Sequence, residues 1–117
     1  LPNVRLTSPS IKKLSNGLWE VTVAVINDGW LPTGTAMAKK NKRARPLVVR
    51  LDVPNETVLS GRKVNLIWSL DGEGTRKWYK WILQGNSNEK INLILFNEKY
   101  GSNTITFSLK ETEGNDT

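Results

Sequence analysis

Apolar residues recur at every second position through most of this chain. A period of two is the signature of a strand with one buried face, not of a helix. In LWEVTVAVIND, Trp19, Val21, Val23 and Val25 share one face, while Leu18, Glu20, Thr22, Ala24 and Ile26 share the other. In PLVVRLDV, Leu47, Val49, Leu51 and Val53 alternate with Val48, Arg50 and Asp52. KVNLIWSL groups Val64, Leu66, Trp68 and Leu70, and EKINLILFN groups Ile91, Leu93 and Leu95. NTITFSLK sets Ile105, Phe107 and Leu109 against Thr104, Thr106 and Ser108. Each of these five sets is expected to face a core.

Turn-forming pairs stand between the runs: Asn16-Gly17, Asp28-Gly29, Pro54-Asn55, Ser60-Gly61, Asp71-Gly72-Glu73-Gly74, Gly85-Asn86 and Gly101-Ser102. They tolerate tight turns or positive φ. With an N-terminal strand near residues 3–7 and RKWYKWILQ added, the chain offers about seven strands in roughly one hundred residues. The expected fold is all-β: an Ig-like, two-sheet antiparallel sandwich over residues 1–110, with a closed barrel of about eight strands as the alternative. No cysteine is present, so the core rests on aliphatic and Trp packing without the Ig disulfide. Two segments break the pattern. Residues 34–45 (GTAMAKKNKRAR) are the best local helix candidate, with Thr35 as cap, but read equally well as an ordered loop with one helical turn. Residues 111–117 (ETEGNDT) are polar and read as a disordered tail or linker.

The absence of histidine and cysteine bears on function. It removes imidazole bases, thiolate nucleophiles, disulfides and the usual transition-metal ligands. The acids Glu20, Asp28, Asp52, Glu56, Asp71, Glu73, Glu89 and Glu98 fall on strand outer faces or in turns, where nothing forces the desolvated pair that glycosidase chemistry needs. The turn Asp71–Gly74, even with Asn86, Asn88 and Glu89 nearby, falls short of a calcium ligand set. The expectation is a chain that is not an enzyme and has no cofactor.

The net charge of +6 is concentrated. Of seventeen Lys and Arg, six lie within residues 39–50 (Lys39, Lys40, Lys42, Arg43, Arg45 and Arg50), and the other eleven balance eleven Asp and Glu. A dedicated nucleic-acid domain spreads basic charge over a face and sets aromatic platforms beside it. Here one segment, Lys39, Lys40, Lys42, Arg43 and Arg45 above all, reads as a solvated loop or a patch toward an acidic surface, and no specific nucleic acid is expected.

Trp is abundant, with five residues. Trp19 and Trp68 are in phase with aliphatic faces and are expected in the core. In RKWYKWILQ, alternation requires that either Trp78 or the pair Tyr79 and Trp81 face outward. Trp30, in the turn DGWLPT, is the other candidate for exposure. Trp30, Leu31, Pro32 and Trp78 are therefore the candidate interaction surface, for a neighbouring domain or for sugar rings.

No apolar run approaches the length of a membrane span. LPNVRLTSPS has neither a basic start nor an apolar h-region, so no signal peptide is visible. The chain opens at Leu1 with its one methionine at Met37, which suggests a piece of a longer protein.

VTVAVINDGWLPT followed by RPLVVRL, then LSG, KWILQG and a closing glycine turn before a last strand, gives an order with precedent. Across residues 3–109 it resembles the β-sandwich domain that follows the catalytic domain in some secreted bacterial zinc carboxypeptidases of the carboxypeptidase A-like class. More loosely it is similar to cell-adhesion-related bacterial (CARDB-like) modules. GWLPT with the downstream Arg-Pro is the most distinctive part. The resemblance implies a secreted or cell-envelope location and a non-catalytic, appended module. It implies docking or spacing against the preceding catalytic domain of the parent chain, the zinc site belonging to that partner. The rival reading is a carbohydrate-binding or cell-adhesion module whose exposed Trp residues meet a polysaccharide or cell-surface component. No functional residue carries over from the resemblance.

Overall fold

The computed structural model describes residues 4–27, 46–68, 75–98 and 101–112. Trp30, Leu31, Pro32, Lys39, Lys40, Lys42, Arg43, Arg45, the helix candidate at 34–45, the turn 71–74 and residues 113–117 lie outside them.

Two antiparallel sheets pack face to face as a sandwich. The first holds β1 (Val4–Leu6), β2 (Ser10–Ser15), β3 (Leu18–Asn27), β7 (Thr75–Gln84) and β5 (Val58–Ser60). In it β3 is central: β1 and β2 pair with successive halves of one edge, β7 runs along the other, and β5 adds to β7. The second sheet has the order β6 (Val64–Ile67), β4 (Leu47–Asp52), β8 (Lys90–Asn97), β9 (Gly101–Ser108). The expected two-sheet sandwich is thus the observed one, with more strands. β2 and β5 carry no alternating pattern of their own, because their stability is borrowed. β2 carries Lys12, Lys13 and an exposed Leu14, and β5 is three residues long. Each exists by extending a longer neighbour's ladder, β2 joining β3 through the two-residue turn Asn16-Gly17.

The core sits between the sheets. Trp19, Val21, Val23 and Val25 of β3 meet Leu47, Val49 and Leu51 of β4 and Ile91, Leu93 and Leu95 of β8 in one buried cluster. Trp81 and Leu83 join from β7, with Tyr79 half-buried beside them. Ile105 and Phe107 of β9 point inward at the rim, and Leu109 is fully buried. Trp19, 3% exposed, is in the core as its phase requires, and its indole N–H donates to the Gly85 carbonyl at 3.0 Å.

β6 departs from expectation. Val64, Leu66 and Trp68 face outward, and Ile67 alone of its large side chains is buried. The assignment of Trp68 to the core is therefore corrected: the residue is 49% exposed. Directly opposed residues in an antiparallel pair share a face, and β6 pairs with β4 as Leu47↔Ile67 and Val49↔Asn65. β4 commits Leu47, Val49 and Leu51 to the core, so Asn65 and Ile67 follow them inward. The chain crosses from β5 in one sheet to β6 in the other over Gly61, Arg62 and Lys63, and there the phase is pinned. The Arg62 carbonyl accepts from the Trp81 indole at 2.6 Å and from the Asn65 side-chain Nδ2 at 2.9 Å.

The C-terminal stretch closes one side of the sandwich. The Leu109 amide donates to the Glu89 carbonyl, and the chain then passes to the opposite sheet, where the Thr112 amide donates to Ile11 of β2 at 3.1 Å. Lys13 donates its amide to the Glu111 carboxylate at 3.3 Å. Glu111 and Thr112, read from sequence as the start of a tail, are thus bonded to β2.

Candidate functional site

The inverted phase of β6 creates a continuous apolar surface on the outside of the second sheet. The register sets out its rows. Leu66, Val48, Phe96 and Ser102 lie side by side across β6, β4, β8 and β9. Val64, Arg50, Ile94 and Thr104 form the next row. Trp68 extends the β6 column beyond Leu66. Neighbouring strands stand about 4.8 Å apart and same-face residues about 6.8 Å apart along a strand, so the patch measures roughly 10 by 13 Å between backbones. Leu66 (51%), Val64, Trp68 and Phe96 are exposed, while Val48 and Ile94 are half-buried between them.

Polar groups frame this surface. A groove of about 400 Å³ runs over it, lined by Val48, Arg50, Ile94, Phe96, Ser102 and Thr104. The Arg50 guanidinium lies 3.7 Å from the Asp52 carboxylate, its neighbour on the same face. Thr106 donates its hydroxyl to the Asn92 side-chain oxygen at 2.6 Å, which fixes the far corner. Such an arrangement suits contact: a flat apolar centre, one cation and a rim of hydroxyls.

Of the surface proposed from sequence, only Trp78 is described. It is 60% exposed on the outer face of the first sheet, opposite Ala24 and between Arg76 and Lys80 in phase. Alternation is thereby resolved: Tyr79 and Trp81 face inward, opposite Val23 and Val21, and stack at 6.1 Å between ring centroids. Trp78 and Trp68 occupy opposite faces of the sandwich, so the two do not share a platform. Trp30, Leu31 and Pro32 and the basic segment Lys39, Lys40, Lys42, Arg43 and Arg45 lie outside the described residues.

Sequence reasoning missed the second-sheet surface, although a signal existed. Val48 and Val49, Ile94 and Leu95, and Leu66 and Ile67 are consecutive apolar pairs, and an antiparallel strand with only one buried face has no structural use for both members. Among the described residues no cluster of three or more Asp or Glu stands close enough to hold a metal ion. No helix among them is long and apolar enough to cross a membrane. Among the described residues one group has a displaced pKa: burial pushes the Tyr79 phenol above its ordinary value. Its hydroxyl is buried with no hydrogen-bond partner among the described residues.

Residues 3–108 match the family model described as "Domain of unknown function (DUF8731)". The chain belongs to that family. No curated protein and no solved structure matches it. The match spans every strand from β1 to β9, so the DUF8731 unit and the two-sheet sandwich coincide.

Proposed function

We propose that this domain is a non-catalytic docking or spacing module, and that it packs the outer face of its second sheet against a neighbouring domain of the same parent protein. The observation that carries the reading is the orientation of β6, which turns its more apolar side to water beside Val48, Ile94 and Phe96. Burying apolar surface is worth roughly 25 cal/mol per Å², so covering four half-exposed large side chains contributes several kcal/mol on the order-of-magnitude scale. A place where local pattern and fold disagree is a place where function is expected. The lack of His and Cys supports the non-catalytic part of the reading. The resemblance of GWLPT and its downstream Arg-Pro supports a secreted or cell-envelope parent, with a zinc carboxypeptidase domain as the partner.

The alternative, a carbohydrate-binding or adhesion module, draws support from Phe96 lying in one groove with Arg50, Ser102 and Thr104, an aromatic face with hydroxyl and cationic partners. Acrylamide quenching of Trp fluorescence separates the two, run on the 117-residue chain and on the intact parent, with Trp68→Phe and Trp78→Phe assigning the signals. Docking predicts that Trp68 is open in the isolated chain and shielded in the parent. Equal access in both, with a blue shift on adding polysaccharide, would overturn docking and favour the alternative.

A further inference from the structure

Edge strands carry unpaired backbone groups, and proteins guard them with brevity, charge, proline or a covering segment. In this sandwich most edges are guarded. β1 is three residues with Arg5, β5 is three residues, and β6 is four residues preceded by Arg62 and Lys63. β2 carries Lys12 and Lys13 and is bonded to Thr112. The part of β7 that β5 leaves uncovered carries Arg76, Lys77 and Lys80. Within its own length β9 has none of these guards among the described residues. Its eight residues, GSNTITFS, contain no charge and no proline, and Gly101 to Thr104 and Thr106 are exposed.

The ladder fixes which of its backbone groups are free. The Leu109 amide donates to Glu89, placing Leu109 in register with the β8–β9 pairs and turned toward β8. Backbone groups alternate sides along a strand, so Phe107, Ile105 and Asn103 also turn to β8. The other side of the sheet agrees. The Leu51 amide donates to Lys63, so the odd residues of β4 turn to β6 and its even residues to β8, which leaves Ile91, Leu93 and Leu95 for β9. Ser102, Thr104 and Thr106 therefore aim their N–H and C=O groups outward, away from the sheet. The Ser108 carbonyl is held by the Lys110 amide, which ends the free edge there.

We infer that two copies of this chain join through β9, paired antiparallel across a two-fold axis normal to the second sheet, to make one continuous sheet. A two-fold axis at Thr104 sets Thr104 against Thr104 of the second copy and Ser102 against Thr106, so every outward group meets its complement without calling on Ser108. Opposed residues then keep the same face, as the pleat requires. Ile105, half-buried at the rim of each copy, gains cover from the other on the inner face. Each chain carries a net +6, but β9 holds no charge, so this pairing sets no like charges against each other across the contact. This contact is separate from the outer face of Leu66 and Phe96, and either can fail without the other.

The test is sedimentation equilibrium of the 117-residue chain with amide hydrogen exchange at low and high concentration. The expected result is a reversible dimer in which the amides of Ser102, Thr104 and Thr106 slow as concentration rises, while those of Asn103, Ile105 and Phe107 are protected throughout. Thr104→Lys places two ammonium groups at the axis and should weaken the dimer several-fold, since like charges directly opposed in an antiparallel pair are destabilising. A monomer at about millimolar concentration, its Ser102, Thr104 and Thr106 amides exchanging freely, overturns the inference, and that reading needs no variant. A dimer that Thr104→Lys leaves unweakened but that is lost in Leu66→Ser overturns it too, since the copies would then meet through the apolar face.

Discussion

The Trp81 indole N–H donates to the Arg62 carbonyl at 2.6 Å, and this bond ties the middle of β7 in one sheet to the segment leading into β6 in the other. Trp81 is the largest fully buried side chain among the described residues, and the bond itself, to the carbonyl of exposed Arg62, is part-buried. Trp81→Phe keeps most of the packing and removes the donor. It should cost about 2 kcal/mol, and Trp81→Ala about 3–5 kcal/mol, by urea denaturation. Wild-type stability in Trp81→Phe would show that the crossing is held by other contacts.

Gly61, at the start of that crossing, has φ +92°, and a Cβ there would lie 2.7 Å from the Lys80 carbonyl and 2.8 Å from the Trp81 ring. Gly101 has nearly the same φ, +93°, with open space around it. Gly101→Ala should therefore cost only the left-handed backbone penalty of about 1–2 kcal/mol. Gly61→Ala should cost more, about 3 kcal/mol or above, because strain and collision add. Equal losses in chemical denaturation would mean that the neighbouring strand yields without cost.

The phase of β6 is tested by adjacent substitutions. Ile67→Ser removes a buried side chain and should cost about 3 kcal/mol, whereas Leu66→Ser should leave stability within about 1 kcal/mol. The reverse ranking in thermal melts would return Val64, Leu66 and Trp68 to the core.

Tyr79 gives the fold an alkaline limit. Its folded pKa is raised by burial, so the folded state holds the phenolic proton more tightly than the unfolded chain does. Its contribution is complete below the unfolded value near pH 10 and is lost as pH rises through the folded value. Stability should accordingly fall above about pH 10. Tyr79→Phe removes a buried hydroxyl that has no partner among the described residues, so it should be neutral or slightly stabilising at pH 7 and should flatten this decline. An unchanged alkaline slope in the variant would assign the decline elsewhere.

For the basic segment the expectation rests on sequence. Replacing Lys39, Lys40, Lys42, Arg43 and Arg45 by Gln or Ser should change stability by less than about 1 kcal/mol. Weak polyanion binding should disappear with those charges and fall steeply with salt in the wild type. Tight binding that survives moderate salt would revive the nucleic-acid reading.

The amino-acid sequence alone determined the class of fold and the inward faces of the long strands. In β3, β4 and β8 the buried set (Val21, Val23, Val25; Leu47, Val49, Leu51; Ile91, Leu93, Leu95) recurs at every second residue, and the pleat allows no other use of that spacing. Composition likewise closes off imidazole and thiolate chemistry within this chain. The tertiary structure decided what period alone does not contain: which side of a short edge strand is inside. For β6 that choice belongs to its neighbours, to the register with Leu47 and Val49 and to the Arg62 carbonyl held by Trp81, and it overrode the strand's own apolar majority. For β7 it was the ladder with Val21 and Val23 that drew Trp81 and Tyr79 inward and left Trp78 in water. A strand's alternation is a local property of covalent geometry. Its orientation is a property of the sheet it joins, and the exposed apolar face of the second sheet exists only at that level.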